Sequence, residues 1–160
     1  MENTIIKHNI SPVYDKNSKI LILGSFPSVI SRKNEFFYDN SANRFWRVLA
    51  TLYNTELFTY KDKKEFLLKN NIALWDVVYS CIVNKSSDSS IKNVMPCNIN
   101  AILDNAKIKK IFLNGKTAEK YFIKFFPDKK YVLLPSTSSA NAKFSLEDLV
   151  EKWGVIKESV

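Results

Sequence analysis

The chain has 160 residues, 46% hydrophobic and 25% charged, the balance of a folded protein long enough to bury one substantial core. Its 24 Lys and Arg against 16 Asp and Glu leave a net charge of +8, which favours a polyanionic partner. Cys81 and Cys97 are too few and too far apart for a structural zinc or four-Cys iron–sulfur site, and the single histidine argues against His-based catalysis and multi-His metal centres.

In chain order, residues 1–18 read as a polar lead-in with a turn at Pro12 and Asp15–Ser18, and His8 within it reads as a surface residue. Met1–Thr4 lacks a signal pattern, no apolar run approaches a membrane span, and two thiols without a secretory context read as reduced and cytosolic. Ile20–Leu23 is a continuous apolar run, as a strand buried on both faces requires. Gly24-Ser25-Phe26-Pro27 then turns the chain, and Gly24 would admit a ligand close to the backbone. Phe36, Phe37 and Tyr38 follow in a polar loop, where three successive aromatics suit the wall of a pocket that stacks on a flat ring.

Ala42–Tyr53 has helical spacing through Phe45, Val48, Leu49 and Leu52; Lys61–Asn70 reads as a second helix around Phe66 and Leu67. Ile72–Val78 is a second strand, followed by a long polar loop over Tyr79–Asn93. A short helix at Asn98–Ala106, a strand at Ile108–Asn114, a helix at Thr117–Phe126 and a strand at Tyr131–Leu134 complete the alternation. Ser145 is a plausible N-cap for a last helix whose Leu146, Leu149, Val150 and Trp153 face the core. Strands alternating with helices predict an α/β three-layer sandwich around a central four-stranded, mainly parallel sheet. A single domain over residues 1–160 is expected, with no linker or repeat.

Four loops leave one edge of such a sheet. The first runs from Gly24 to Asn43. The second starts at Asp76, which reads either as a reader of a ligand's hydrogen-bonding edge or as a turn cap. The third, Asn114-Gly115-Lys116-Thr117, lacks the first glycine of a phosphate-binding P-loop, although its amides can approach a phosphate. The fourth, Pro135 to Asn141, carries Ser136, Thr137 and Ser138, which suit either phosphate contacts or a plain polar surface.

These segments resemble the uracil-DNA glycosylase superfamily. Its mismatch-specific branch carries a Gly-Ile-Asn-Pro-Gly turn and, 19 residues beyond the first Gly, the Asn of A-N-R-F-W; Gly24 and Asn43 of N-R-F-W have the same spacing. G-S-F-P and Leu134-Pro135-Ser136-Thr137-Ser138 are most similar to the hypoxanthine-DNA glycosylase branch. The resemblance implies that Asn43 positions the attacking water, a job that Phe26 cannot do where other branches carry Asn or Asp. It implies a base site formed by Gly24, Ser25, Phe26, Pro27, Phe37, Tyr38 and Asp76, with Tyr38 or Phe37 stacking on the base. Asp76 stands where relatives carry a base-reading Asn. Arg44, Lys116, Ser136, Thr137, Ser138 and Asn141 would meet DNA. Asp39-Asn40-Ser41 and Val83 depart from the branch's Gly-His-Pro and Arg.

The expectation is therefore a monofunctional glycosylase that flips a deaminated base, hypoxanthine or uracil, out of DNA and hydrolyses its N-glycosidic bond. It would work as a monomer in the cytoplasm, at the nucleoid in a prokaryote, with no cofactor, metal or membrane. The rival is a non-catalytic nucleic-acid or nucleotide-binding module on the same fold, for which Phe26 is the best support.

Overall fold

The computed structural model describes residues 3–84 and 92–159. The elements are β1 (Asn3–Lys7), β2 (Ile20–Gly24), α1 (Val29–Asn34), α2 (Phe45–Leu52), α3 (Tyr60–Lys69), β3 (Ile72–Asp76) and β4 (Val78–Asn84). They continue with β5 (Lys92–Pro96), α4 (Asn100–Asn105), β6 (Lys110–Asn114), α5 (Lys116–Phe125), β7 (Val132–Leu134), α6 (Leu146–Trp153) and a 3-10 turn at Gly154–Ser159.

Ile20–Leu23 have neither polar side chains nor glycine, so they lie at the sheet's centre with no solvent exposure. The sheet order is β3-β2-β6-β7, parallel throughout, as expected. The pleat sends Ile20, Ile22, Leu74 and Phe112 to one face, where α2 and α6 bring Phe45, Leu49 and Trp153. Leu21, Leu23, Ala73 and Leu113 face the other side against Ile102 of α4 and Phe122 of α5. Burying each such side chain contributes about 1.5–3 kcal/mol, so this strand anchors both cores. Capping boxes start α3 (Thr59 with Asp62) and α6 (Ser145 with Asp148), the second at the expected N-cap.

A second sheet corrects the reading of the lead-in and of the Tyr79–Asn93 segment as strand-free. β1 lies in the expected lead-in, and β4 and β5 occupy much of the expected Tyr79–Asn93 loop, of which residues 85–91 fall outside the described residues. These strands pair antiparallel in the order β1-β4-β5, with Ile5 opposite Ile82 and Ile6 opposite Cys81. Their stability comes from long-range pairing, which a local run of polar residues conceals. Helix α1, capped by Ser28, was also not expected.

Candidate active site

The carboxyl ends of the parallel strands set the site. Gly24 and Asp76 are register partners at the ends of β2 and β3, and Asn114 ends β6. The turn after Gly24 is held by Val77 N–H donating to the Gly24 carbonyl at 2.8 Å and Val78 N–H to that of Ser25 at 2.9 Å. A Cβ at Gly24 would lie 2.5 Å from both Asp76 Oδ1 and Tyr38 Oη. Glycine is thus required for a carboxylate and a hydroxyl to converge over the strand end.

Asp76 is 4% exposed, and its Oδ2 accepts a hydrogen bond from His8 Nε2 at 2.7 Å. Neither oxygen accepts from a backbone amide among the described residues. His8 is 7% exposed, which corrects its reading as a surface residue. The cause is β1: pairing with β4 and a 2.6 Å bond from His8 N–H to the Tyr79 carbonyl carry the histidine to the end of β3. There its ring lies about equally far from Phe26, Phe37 and Trp75, at centroid distances of 6.2, 6.2 and 6.1 Å.

Tyr38 adopts a left-handed φ of 51° and stacks on Phe45 at 4.1 Å. Burial, reinforced by the charge of Asp76, raises its pKa well above the ordinary tyrosine value despite the opposing bond from Asn114, so the hydroxyl keeps its proton. Asn114 Nδ2 donates to Tyr38 Oη at 3.1 Å and to Thr137 Oγ1 at 3.0 Å, while Asn114 Oδ1 accepts from Thr137 N–H at 3.0 Å. Thr137, fully buried, donates a hydrogen bond from its own hydroxyl to Asn43 Oδ1 at 2.8 Å. Phe45 N–H donates to the same oxygen at 2.9 Å. A backbone amide can only donate, so the assignment of Asn43 Oδ1 is unambiguous. Arg44 holds the formal N-cap position of α2, but the side chain that satisfies the helix's first amide is Asn43's.

The remaining expected site residues divide into two groups. Phe37 is 2% exposed and packed in the first core, and Phe26 lies between the His8 ring and the Arg32 guanidinium, 5.2 Å from the latter. Pro27 is buried, its carbonyl accepting from Arg32 at 2.8 Å. Arg44, expected against DNA, instead turns inward and donates to the carbonyls of Ser138 (3.0 Å), Asn141 (3.1 Å) and Phe144. Together with Asn141 Nδ2 to the Ser136 carbonyl (3.0 Å) and Ser138 N–H to Ser136 Oγ (3.1 Å), this fork shapes the last loop. Lys116 opens α5 and is exposed. His8 and Asn114 are the participants that the sequence reading did not assign to the site. Asn114 had a usable signal, a polar residue ending an apolar strand; His8 had none, since its position depends on β1 pairing 70 or so residues away.

The profile of the group described as "Uracil DNA glycosylase superfamily" matches residues 11–157, nearly the whole chain. The chain belongs to that superfamily. Two proteins named hypoxanthine DNA glycosylase are similar to this superfamily member. One, from Methanosarcina barkeri, is 32% identical over 92% of this chain and 95% of its own; the other, from Methanosarcina acetivorans, is 34% identical over 88% and 92%. A solution NMR structure of a Methanosarcina acetivorans protein, provisionally described as a uracil DNA glycosylase, superposes with a TM-score of 0.79 at 31% identity, covering 96% of this chain and 97% of its own. No helix among the described residues of this glycosylase is long and apolar enough to cross a membrane, and no cluster of three metal-ligating side chains occurs among them.

Proposed function

We propose that this DNA glycosylase removes hypoxanthine from DNA, with Asn43 positioning the water that completes hydrolysis. The observation that carries the reading is the hydrogen-bonded chain Tyr38–Asn114–Thr137–Asn43 at the carboxyl edge of the sheet, facing Asp76 over Gly24. The similarity to two proteins named hypoxanthine DNA glycosylase points to the same base and favours an enzyme over a non-catalytic module.

Cleavage of the N-glycosidic bond passes through an oxocarbenium-like state, which needs a well-placed water more than a strong base. Asn43 Oδ1 already accepts two hydrogen bonds, so the group left to hold a water is the Nδ2 amide. A water that accepts from Nδ2 keeps its second lone pair for the sugar carbon. Tyr38 offers its ring to the extruded base, and the backbone amides of Ser25 and Phe26 stabilise the departing anion. Exposed Lys116 with Ser136, Ser138 and Asn141 of the last loop contact the phosphates, whereas Thr137, expected among them, is fully buried and turned to Asn43 and Asn114. The chain acts as one domain over residues 1–160, monomeric, in the cytoplasm at the DNA. Single-turnover assay on a deoxyinosine duplex, with alkaline cleavage of abasic sites, tests the reading. The expected product is an abasic strand; binding without abasic product overturns it.

A further inference from the structure

The amino ends of the parallel strands form the sheet edge opposite the site. A groove of about 970 Å³ opens there, and six lysines from three separate segments line it. Lys107, Lys109 and Lys110 come from the chain between α4 and the start of β6, Lys129 and Lys130 from the α5–β7 connection, and Lys16 from the turn before β2. All are exposed except half-buried Lys129, and Asp104 is the one carboxylate among the described lining residues. An adjoining smaller hollow shares Lys16, Lys107 and Lys109 and adds Lys19, so the basic surface continues along the edge.

The fold does not account for this charge. Lysines at such an edge often answer the negative ends of helices. Here the last turn of α4 has no basic residue, and that of α5 has Lys124, which lies outside the groove. Nor are the six paired, since the salt bridges among the described residues are His8–Asp76 and Lys61–Glu65. Gathering like charges costs stability, and an anionic partner offsets that cost. The apolar lining does not define the partner, because Leu103, Ile108 and Tyr131 already pack against the second core and Val132 against the first. What the groove presents outward is ammonium groups on flexible stems, point charges that suit phosphates contacted without regard to sequence.

We infer that this groove is a second DNA-binding surface, which takes the phosphodiester backbone of a duplex segment other than the one at the carboxyl edge. It goes beyond the proposed function and rests on it only for the DNA at that first edge. β6 runs from Lys110 in the groove to Asn114 in the site, a span of about 13 Å at the usual strand rise. Duplex DNA has a persistence length of about 50 nm, so one segment does not curl from edge to edge over that distance. Two surfaces occupied together let an incoming segment capture the protein before the first has let go. The protein then passes between segments of DNA without entering solution.

Dissociation kinetics test this. The protein is loaded at low salt on a fluorescein-labelled undamaged duplex and chased with rising concentrations of the same duplex unlabelled. With one DNA surface the dissociation rate is independent of competitor; with two it rises in proportion to it. Wild type should show the rise. Replacing three exposed lysines together, Lys107→Gln, Lys109→Gln and Lys130→Gln, should abolish it. Single-turnover excision of deoxyinosine and the melting temperature should stay at their wild-type values in that variant. A wild-type rate that ignores competitor overturns the inference, and so does a rise that survives in the triple variant. Binding of labelled poly-glutamate through these lysines, with no effect of competitor duplex, would assign the groove to an acidic polypeptide and overturn it too. Because the chase uses undamaged DNA, absence of excision by the wild type would overturn the proposed function and leave this test standing.

Discussion

Asn43 Oδ1 accepts the Thr137 hydroxyl at 2.8 Å, so two loops 94 residues apart in sequence meet through one hydrogen bond at the carboxyl edge of the sheet. The same oxygen receives Phe45 N–H, so Asn43 ties the start of α2 to the last loop in addition to the water-positioning role proposed for it. Asn43→Ala should cost about 1 kcal/mol of stability, as loss of a helix-capping bond does. Excision should fall far more, by about 10²-fold or greater, because the amide proposed to hold the water would act in the transition state. Asn43→Asp retains an oxygen for both donors and should melt near wild type. Thermal melts beside single-turnover rates check this; wild-type excision in Asn43→Ala would remove Asn43 from the mechanism.

Thr137→Val keeps the shape of a fully buried side chain and deletes its hydroxyl. Asn114 Nδ2 then loses an acceptor and Asn43 Oδ1 a donor. Leaving such groups unpaired should destabilise the protein by about 1–3 kcal/mol. Excision should also drop, since Asn43 is no longer held from one side. Urea unfolding and excision measured on the same preparation would show the two losses; an unaffected rate would mean that Phe45 N–H alone orients Asn43.

The legible part of the fold was its parallel sheet, because Ile20–Leu23, Ile72–Leu74 and Ile111–Leu113 are apolar runs whose burial needs no partner to be named. The small antiparallel sheet was not legible: Lys7 ends one strand, Lys92 begins another and Ser80 sits inside the third, and only cross-strand pairing makes them strands. The same divide runs through the site. Gly24 and Asp76 are legible as strand-end residues, Tyr38 as one of three aromatics in a polar loop, and Asn43 through the resemblance of N-R-F-W to the superfamily's segment. His8 lies on a strand-to-loop junction whose neighbours arrive from β4, and Arg44 looks like a phosphate ligand until the last loop's carbonyls are placed around it.

Gly24→Ala tests whether the convergence over the strand end matters. The new Cβ would sit 2.5 Å from Asp76 Oδ1 and Tyr38 Oη, and both are ends of side chains rather than backbone. They can give way, so the fold should survive. Their displacement by about 1 Å should nonetheless lower excision by about 10²-fold. Circular dichroism and single-turnover kinetics separate the two effects; a variant with normal kinetics would show that the pair over Gly24 does not meet the base.

Tyr38 makes a pH prediction. Burial and then the Asp76 charge raise its pKa in the folded protein, with Asn114 pulling weakly the other way. Below the ordinary tyrosine pKa of about 10 both folded and unfolded chains keep the proton, and the contribution to stability is full. Above it the unfolded chain ionises while Tyr38 in the folded protein does not, so stability falls as pH rises. Tyr38→Phe should reduce the alkaline slope of unfolding free energy by about 1.4 kcal/mol per pH unit, one proton's worth. Denaturation curves between pH 9 and about 11 would check it; equal slopes in both proteins would place the ionisable hydroxyl in contact with solvent.

Arg44 and Lys116 separate inward from outward cations. The Arg44 guanidinium holds the carbonyls of Ser138, Asn141 and Phe144, whereas Lys116 is exposed at the start of α5 beside the site. A phosphate contact releases counterions and contributes roughly −0.9 to the slope of log affinity against log salt. Lys116→Ala should therefore make that slope shallower by about this amount while leaving the melting temperature unchanged. Arg44→Ala should do the reverse. It frees three carbonyls and loosens the Ser136–Asn141 loop, so stability and affinity fall, but the salt slope stays at its wild-type value. Titration of a fluorescent deoxyinosine duplex at several salt concentrations reads both slopes. A shallower slope in Arg44→Ala would return Arg44 to the DNA-facing side, and an unchanged slope in Lys116→Ala would take the α5 terminus out of the interface.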